Sequence, residues 1–350
     1  MMSRDASESI FLAALRRKKT PRVPIWLMRQ AGRYMAEYRA VREKIDFLSL
    51  CKNPKLCADV MRTAVEKTGV DAAIIFSDLL PILEPVGFTL TYAAGDGPVI
   101  GNPFRSADDL KRVRELTDIA PLDFVLETVA ETRRVIPPEK AVIGFAGAPF
   151  TLAGYAIEGG SSRAFLETKK LMWRAPDVFA ELLARLARST ARYLNAQIAA
   201  GAEAVQIFDS WIGVLSPEDY RRSVLPHVQR LIAAVKPNAP VIYFGAGNPA
   251  LLPLFVETGA DALGVDWRVE IGEARRVVGS GVALQGNLDP AVLLSDPETI
   301  RREALRLLES VGHTPGYIFN LGHGVLKETP VENVLTLVQT VQQWGGEMEN

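Results

Sequence analysis

Two arginines, Arg29 and Arg33, stand four residues apart around Gly32 in the stretch WLMRQAGRYMAEYR, Trp26 to Arg39, and no acidic residue follows them until Glu37. Four residues is about one helical turn, so in a helix both guanidiniums would share a face. Such a pair either meets carboxylates from distant parts of the chain or serves a ligand. Other polar groups follow short apolar runs: Ser77-Asp78, Gly147-Ala148-Pro149-Phe150 with Tyr155 beyond, Asp209-Ser210, Asp266, Gln285-Gly286-Asn287 and Gly322-His323-Gly324. His323 sits between two glycines, where a flexible backbone lets an imidazole approach a ligand. His227 lies in a helical stretch and His313 beside Thr314-Pro315, roles that need no function.

Each position also admits a structural role. Asp78 is placed as a helix N-cap would be, Tyr155 lies among apolar residues, and Ser210 fits a turn. Asp209 and Asp266 suit loop orientation or ion pairing better than catalysis. The glycine-rich GAPFTLAG, Gly147 to Gly154, reads as a packing turn. No buried strand offers a lysine for a Schiff base, no glycine loop precedes Lys-Ser/Thr, and no GxGxxG joins a strand to a helix, so PLP, nucleotide and nicotinamide chemistry find no support.

The elements that must carry these groups are legible as eight short β-branched runs: Val23–Trp26, Ala72–Phe76, Val142–Ala146, Ala204–Phe208, Val241–Phe244, Ala262–Val265, Val282–Gln285 and Tyr317–Asn320. Helical periodicity separates them, over Pro54–Lys67, Pro176–Ala200, Ser216–Val235, Pro249–Thr258, Asp296–Ser310 and Pro330–Gln343. Near-continuous apolar strands alternating with helices imply a parallel sheet buried on both faces. Eight of them, closed by a last helix, predict an α/β single-domain (β/α)8 TIM barrel, whose functional groups gather past the strand C-termini. Phe88–Ile100 alternates around Gly95-Asp96-Gly97 and reads as a β-hairpin inserted after the second strand. Residues 1–20 read as a segment leading into the barrel, the first dozen polar enough to be mobile, and residues 21–350 as one domain.

Across 350 residues, 40 Lys and Arg balance 41 Asp and Glu, so no global field favours nucleic acid or an anionic membrane and charge recognition must be local. No apolar run approaches the ~20 residues of a membrane span, nor a signal-peptide core. These features predict a cytoplasmic protein. Cys51 and Cys57, with no CxxC and no histidine nearby, read as reduced structural thiols and not as metal ligands.

Taken together, MRQAGRY (Met28–Tyr34), IFSDLL (Ile75–Leu80), GFAGAPFTLAGY (Gly144–Tyr155), EGGSS (Glu158–Ser162), QGNLDP (Gln285–Pro290) and NLGHG (Asn320–Gly324) resemble the uroporphyrinogen decarboxylase family, in the family's order. The resemblance runs from about Pro24 to the C-terminal helix. It implies a (β/α)8 barrel, usually a homodimer with facing clefts, and neither metal nor organic cofactor. The implied reaction removes CO2 from the four acetate side chains of uroporphyrinogen III, leaving methyl groups and giving coproporphyrinogen III in haem and tetrapyrrole biosynthesis.

Decarboxylation leaves electron density on carbon that many enzymes place in a cofactor, whereas a protonated pyrrole accepts those electrons itself. On the family's pattern Arg29 and Arg33 bind substrate carboxylates, and Asp78 accepts hydrogen bonds from the pyrrole N–H groups. Tyr155, Ser210 and His323 contact substrate carboxylates, with Tyr155 near the reacting group. Either Arg29 or a relayed water then supplies the proton.

The chain departs from the family's frequent pattern at Ala36 and Lys327, where proline is common, at Trp211, where some relatives carry histidine, and at Gly245-Ala246-Gly247-Asn248, which lacks a lysine. Three alternatives share parts of this pattern. Zinc-dependent corrinoid methyltransferases have the fold but need thiolate and imidazole ligands. A tetrapyrrole-binding scaffold would keep the cleft without turnover, and a sugar-phosphate barrel enzyme would leave the arginine pair unexplained.

Overall fold

The structure is a computed structural model that describes residues 9–93, 97–160 and 162–344. Seven parallel strands form one curled sheet in the order β1 (Ala72–Ile74), β4 (Ala141–Gly147), β5 (Ala204–Asp209), β6 (Val241–Gly245), β7 (Ala262–Gly264), β8 (Ala283–Leu288) and β9 (Tyr317–Leu321). Strand order follows chain order, as short right-handed βα units require. Each strand lies within three residues of its apolar run, and most are buried along their whole length, as expected of a sheet covered on both faces.

The first expected strand, Val23–Trp26, is reduced to one parallel bridge between Ile25 and Phe319 of β9. It still spans the gap between the sheet's two edges. On one side Phe319 N donates to Pro24 O at 2.9 Å; on the other, Asp71 N donates to Ile25 O at 2.8 Å. Two chemical facts prevent a full ladder: Pro24 has no N–H to give, and the Ile25 amide is taken by the Asp71 carboxylate at 2.9 Å. Asp71 is held in turn by both Arg22 nitrogens at 2.7 Å.

Inside the closed ring, Trp26 Nε1 donates to Gln285 Oε1 at 2.9 Å, and Gln285 Nε2 donates to Gln206 Oε1 at 3.0 Å. This chain links the first, β8 and β5 segments across the interior and satisfies the Trp26 indole and the Gln285 amide, while Gln206 Nε2 has no hydrogen-bond partner among the described residues. Above it, Phe145, Phe208 and Phe244 pack edge to face with centroids 5.7 and 5.8 Å apart, and Phe244 reaches His323 at 6.5 Å. An aromatic floor therefore closes the barrel under its C-terminal mouth.

The inserted hairpin is present as the antiparallel pair β2 (Leu90–Ala93) and β3 (Gly97–Ile100), with Leu90 opposite Ile100. Its expected turn residues Gly95 and Asp96 lie outside the described residues, as does Ser161 of the EGGSS motif.

Several helical expectations are corrected. GAPFTLAG is not a turn: Pro149–Glu158 is a helix beginning two residues after β4. Gly154 fits inside it because the Phe165 ring packs where a β-carbon would stand. Ser216–Val235 splits into Pro217–Ser223 and Leu225–Val235 around Pro226, whose missing amide belongs in a first turn. Overlapping the end of the dozen residues expected to be mobile, Ile10–Leu15 is a helix anchored by buried Phe11, Leu12 and Leu15. Among the described residues no helix is long and apolar enough to cross a membrane.

Candidate active site

Arg29 and Arg33 leave the first strand in an irregular turn, and the helix begins only at Ala36. The shared helical face expected from their spacing does not exist. Arg29 instead has a left-handed backbone, φ 62°, unusual for a residue with a side chain. The turn is fixed from several directions: Met28 N donates to Asn320 Oδ1 at 3.2 Å, Val325 N to Met28 O at 2.9 Å, and Tyr34 Oη to Gln30 O at 2.7 Å. Arg39 caps the Arg33 and Tyr34 carbonyls at 2.9 and 2.8 Å.

Both arginines are exposed, and neither makes an ion pair with a carboxylate among the described residues. Although Arg29 still reaches solvent, the protein around it lowers its pKa, first by desolvation and then through the neighbouring Arg33 charge. Tyr155 and Asp78 pull the other way. Arg29 therefore lies within electrostatic reach of Arg33, Tyr155 and Asp78 at the mouth.

Asp78 follows β1 and is not a helix N-cap. Its Oδ1 accepts from Leu80 N at 2.9 Å, an Asx-type turn, and from Tyr92 Oη at 2.7 Å. Burial pushes the Asp78 carboxyl above its usual range, while Tyr92, the following backbone amides and Arg29 restrain it. Tyr92 was not among the residues singled out from the sequence. The signal lies in the alternation of Phe88, Leu90 and Tyr92, which puts all three on the hairpin face turned to the barrel, where Phe88 and Leu90 are buried.

Tyr155 lies on helix Pro149–Glu158, half-buried, its ring 5.9 Å from Trp211 in an edge contact. Burial raises its pKa, so it is a neutral phenol at physiological pH. Trp211 is wedged between Tyr155 and Phe165, 5.3 Å from the latter. Ser210 sits half-buried at the end of β5 beside Trp211.

His323 is half-buried after β9. Burial, then the Arg29 charge, lowers its pKa to about 4; Arg268 adds to this and Asp266 opposes it. The imidazole is therefore neutral at pH 7, able to donate one hydrogen bond but not to act as a fixed cation.

The remaining candidates are structural. Asp209 is fully buried and accepts from Thr151 Oγ1 at 2.7 Å and Tyr243 Oη at 2.6 Å. It ties β5 to the helix that carries Tyr155. Asp266 accepts from Gly247 N at 2.7 Å and pairs with Arg268 at 2.6 Å, organising the loops after β6 and β7. Asn287 gives both amide protons to the Asp266 and Val269 carbonyls, at 2.8 and 2.7 Å.

Burial pushes the Cys57 thiol up to about 12, and it donates to Leu50 O at 3.1 Å, so it is a poor source of a metal-binding thiolate. Among the described residues no cluster of three or more His, Cys, Asp or Glu is gathered as metal ligands would be.

The assembled mouth is an apolar aromatic floor rimmed by two unpaired cations, one hydrogen-bonded carboxylate, a phenol and a neutral imidazole. Such a surface suits a flat, largely apolar ring bearing carboxylates at its edge.

Comparison with known proteins identifies the family. The uroporphyrinogen decarboxylase (URO-D) family model matches residues 6–344. The uroporphyrinogen decarboxylase of Carboxydothermus hydrogenoformans is 50% identical over 334 residues, 95% of this chain and 95% of its own. That of Roseiflexus sp. is 47% identical over 347 residues, 97% of this chain and 100% of its own.

Among solved structures, a methyltransferase from Methanosarcina mazei superposes with a TM-score of 0.78 at 22% identity, over 95% of this chain and 97% of that one. A putative vitamin-B12 independent methionine synthase from Listeria monocytogenes gives 0.59 at 13% identity, over 94% and 97%. At such identities these two speak for the fold alone. With the family model spanning residues 6–344 and relatives of this identity matched over at least 95% of each chain, the chain belongs to the uroporphyrinogen decarboxylase family.

Proposed function

We propose that this chain decarboxylates the four acetate side chains of uroporphyrinogen III to methyl groups, giving coproporphyrinogen III, with no metal or organic cofactor. The observation that carries the reading is Arg29 within electrostatic reach of both Asp78 and Arg33, while neither arginine makes an ion pair with a carboxylate among the described residues. Uroporphyrinogen bears eight carboxylates and a centre of pyrrole N–H groups, and it supplies what each of these side chains lacks.

Arg29 and Arg33 bind acetate or propionate groups at the rim, where a planar guanidinium fork suits a carboxylate. Asp78 accepts hydrogen bonds from the pyrrole N–H groups and stabilises the cation formed when a pyrrole carbon takes up a proton. That charge is larger in the transition state than in the bound substrate, so Asp78 accelerates the chemical step more than it aids binding. Tyr155, Ser210 and a neutral His323 hydrogen-bond further carboxylates.

Arg29 donates the proton, helped by the partial desolvation and the Arg33 charge that loosen its hold on it; a relayed water is the other source. A solvent isotope effect unchanged in Arg29→Lys would identify the water. We further propose a cytoplasmic homodimer built from one barrel domain over residues 21–350 with a short N-terminal lead, which sedimentation can check.

The test is incubation of the purified protein with uroporphyrinogen III under reducing, anaerobic conditions without added cofactor, followed by oxidation and separation by carboxylate number. Stepwise seven-, six-, five- and four-carboxylate porphyrins are expected. Binding without turnover would make the protein a tetrapyrrole scaffold, and neither binding nor turnover would overturn the reading.

A further inference from the structure

The Asp78 carboxylate is not positioned by the barrel alone. Its second hydrogen bond comes from Tyr92 on β2, a strand of the inserted hairpin that pairs with no strand of the seven-stranded sheet. Tyr92 is itself seated. Its ring packs 5.5 Å from Phe47, Phe47 lies 6.2 Å from Phe76, and Phe76 lies 5.6 Å from Tyr38. The short helix Phe47–Cys51 thus holds one side of the tyrosine while its hydroxyl meets Asp78 on the other.

We propose that Tyr92 is a positioning residue for the reaction, its hydroxyl fixing the rotamer and ionised form of Asp78, so that the hairpin insertion completes the active site. The inference rests on the role of Asp78 given above. Two hydrogen bonds fall on Oδ1, the Leu80 amide from the turn and the Tyr92 hydroxyl from the hairpin. With both of these bonds on Oδ1, Oδ2 is the oxygen left to accept from pyrrole N–H groups. A carboxyl held by one short Asx turn alone would be free to rotate and, being buried, to take up a proton.

The groups facing Asp78 from other elements leave this role to Tyr92. Arg29 from the first loop is the fixed charge nearby, and it makes no ion pair with Asp78. Cys51 of helix Phe47–Cys51, Tyr155 of helix Pro149–Glu158 and Tyr193 of helix Pro176–Ala199 also lie within electrostatic reach, but burial raises each of them above its ordinary value. All three stay neutral near pH 7. The Tyr92 hydroxyl therefore opposes, at hydrogen-bond distance, the rise that burial imposes on Asp78.

Tyr92→Phe keeps the ring on Phe47 and removes only the hydroxyl. The first readout needs no turnover: the Asp78 carboxyl is titrated by infrared difference spectroscopy in ligand-free protein, with Asp78→Asn identifying its band. The midpoint is expected to rise by about one pH unit or more in Tyr92→Phe, the range for losing a hydrogen bond to a charged group. An unchanged midpoint overturns the proposal.

The second readout is turnover of uroporphyrinogen. The value of kcat is expected to fall about tenfold or more, with KM within about twofold and the acid limb of the pH profile moved upward. Equal loss in kcat and in thermal stability, with the limb unmoved, would reduce Tyr92 to a packing residue and also overturn the proposal. If the wild-type protein turns nothing over, the functional reading fails, while the carboxyl titration still decides whether Tyr92 governs Asp78.

Discussion

The side chain of Arg29 lies directly across Gly324, so that a β-carbon on that glycine would overlap Arg29 Cδ and stand 2.8 Å from Nε. The glycine after His323 is thus the seat of the arginine, and the loops after the first and last strands are built as one unit. Gly324→Ala should displace the guanidinium and lower kcat/KM by about tenfold to a hundredfold, the scale of an ångström of misplacement. Steady-state kinetics beside a melting curve would check this, since Tm should change by only a few degrees.

Arg33 stands exposed at the mouth with no carboxylate partner among the described residues, so its removal leaves no buried charge behind. Arg33→Ala should weaken uroporphyrinogen binding roughly tenfold or more, in line with the loss of a charge-assisted hydrogen bond, without destabilising the fold. Equilibrium binding of the substrate, or of the oxidised porphyrin, measures it; unchanged affinity would remove Arg33 from the site.

Much of this site is legible in the amino-acid sequence. The runs from Ala72 to Asn320 form strands because uninterrupted β-branched and aromatic residues suit a sheet covered on both faces. The strand ends then locate Asp78, Tyr155, His323 and the arginines at one mouth. What the sequence hides depends on contacts distant along the chain. The first strand is reduced because Asp71, from another segment, takes the Ile25 amide. The left-handed turn at Arg29 shows no glycine to signal it. Helix Pro149–Glu158 is masked by Gly154, whose missing side chain makes room for Phe165. Tyr92 needs the hairpin to fold back before its hydroxyl can meet Asp78.

Asp209 gives a pH-dependent stability of definite sign. Burial pushes its carboxyl up to about 6, with the Tyr243 and Thr151 hydrogen bonds only partly opposing it. Because the folded value lies above the unfolded one, near 3.9, the folded protein holds the proton more tightly. The associated stability, about 3 kcal/mol, is fully present below about pH 4 and lost as pH rises through about 6. Urea unfolding of the wild type and Asp209→Asn across pH 4 to 7 should show the wild type falling relative to the variant over that window. A pH-independent difference would contradict it.

His323 offers a second titration. In the ligand-free protein its imidazole NMR signals should titrate near pH 4, the value to which burial and the Arg29 charge bring it, and not near 6.5. The lowered value favours the neutral ring on folding, so its contribution to stability is present above about pH 6.5 and lost as pH falls through 4. Accordingly His323→Gln should lower kcat/KM by roughly tenfold, the loss of about one hydrogen bond, while leaving the profile between pH 6 and 8 unchanged in shape.

The decisive comparison is Asp78→Asn against the wild type, with kcat from single-turnover decarboxylation of uroporphyrinogen III and Kd measured separately. The amide keeps size and shape but cannot hold the charge that opposes a pyrrole cation. If Asp78 works in the transition state, kcat should fall by about a hundredfold or more while Kd changes by less than about threefold. Equal changes in kcat and Kd, or an undiminished rate, would mean that Asp78 merely binds and that the electron sink is stabilised elsewhere.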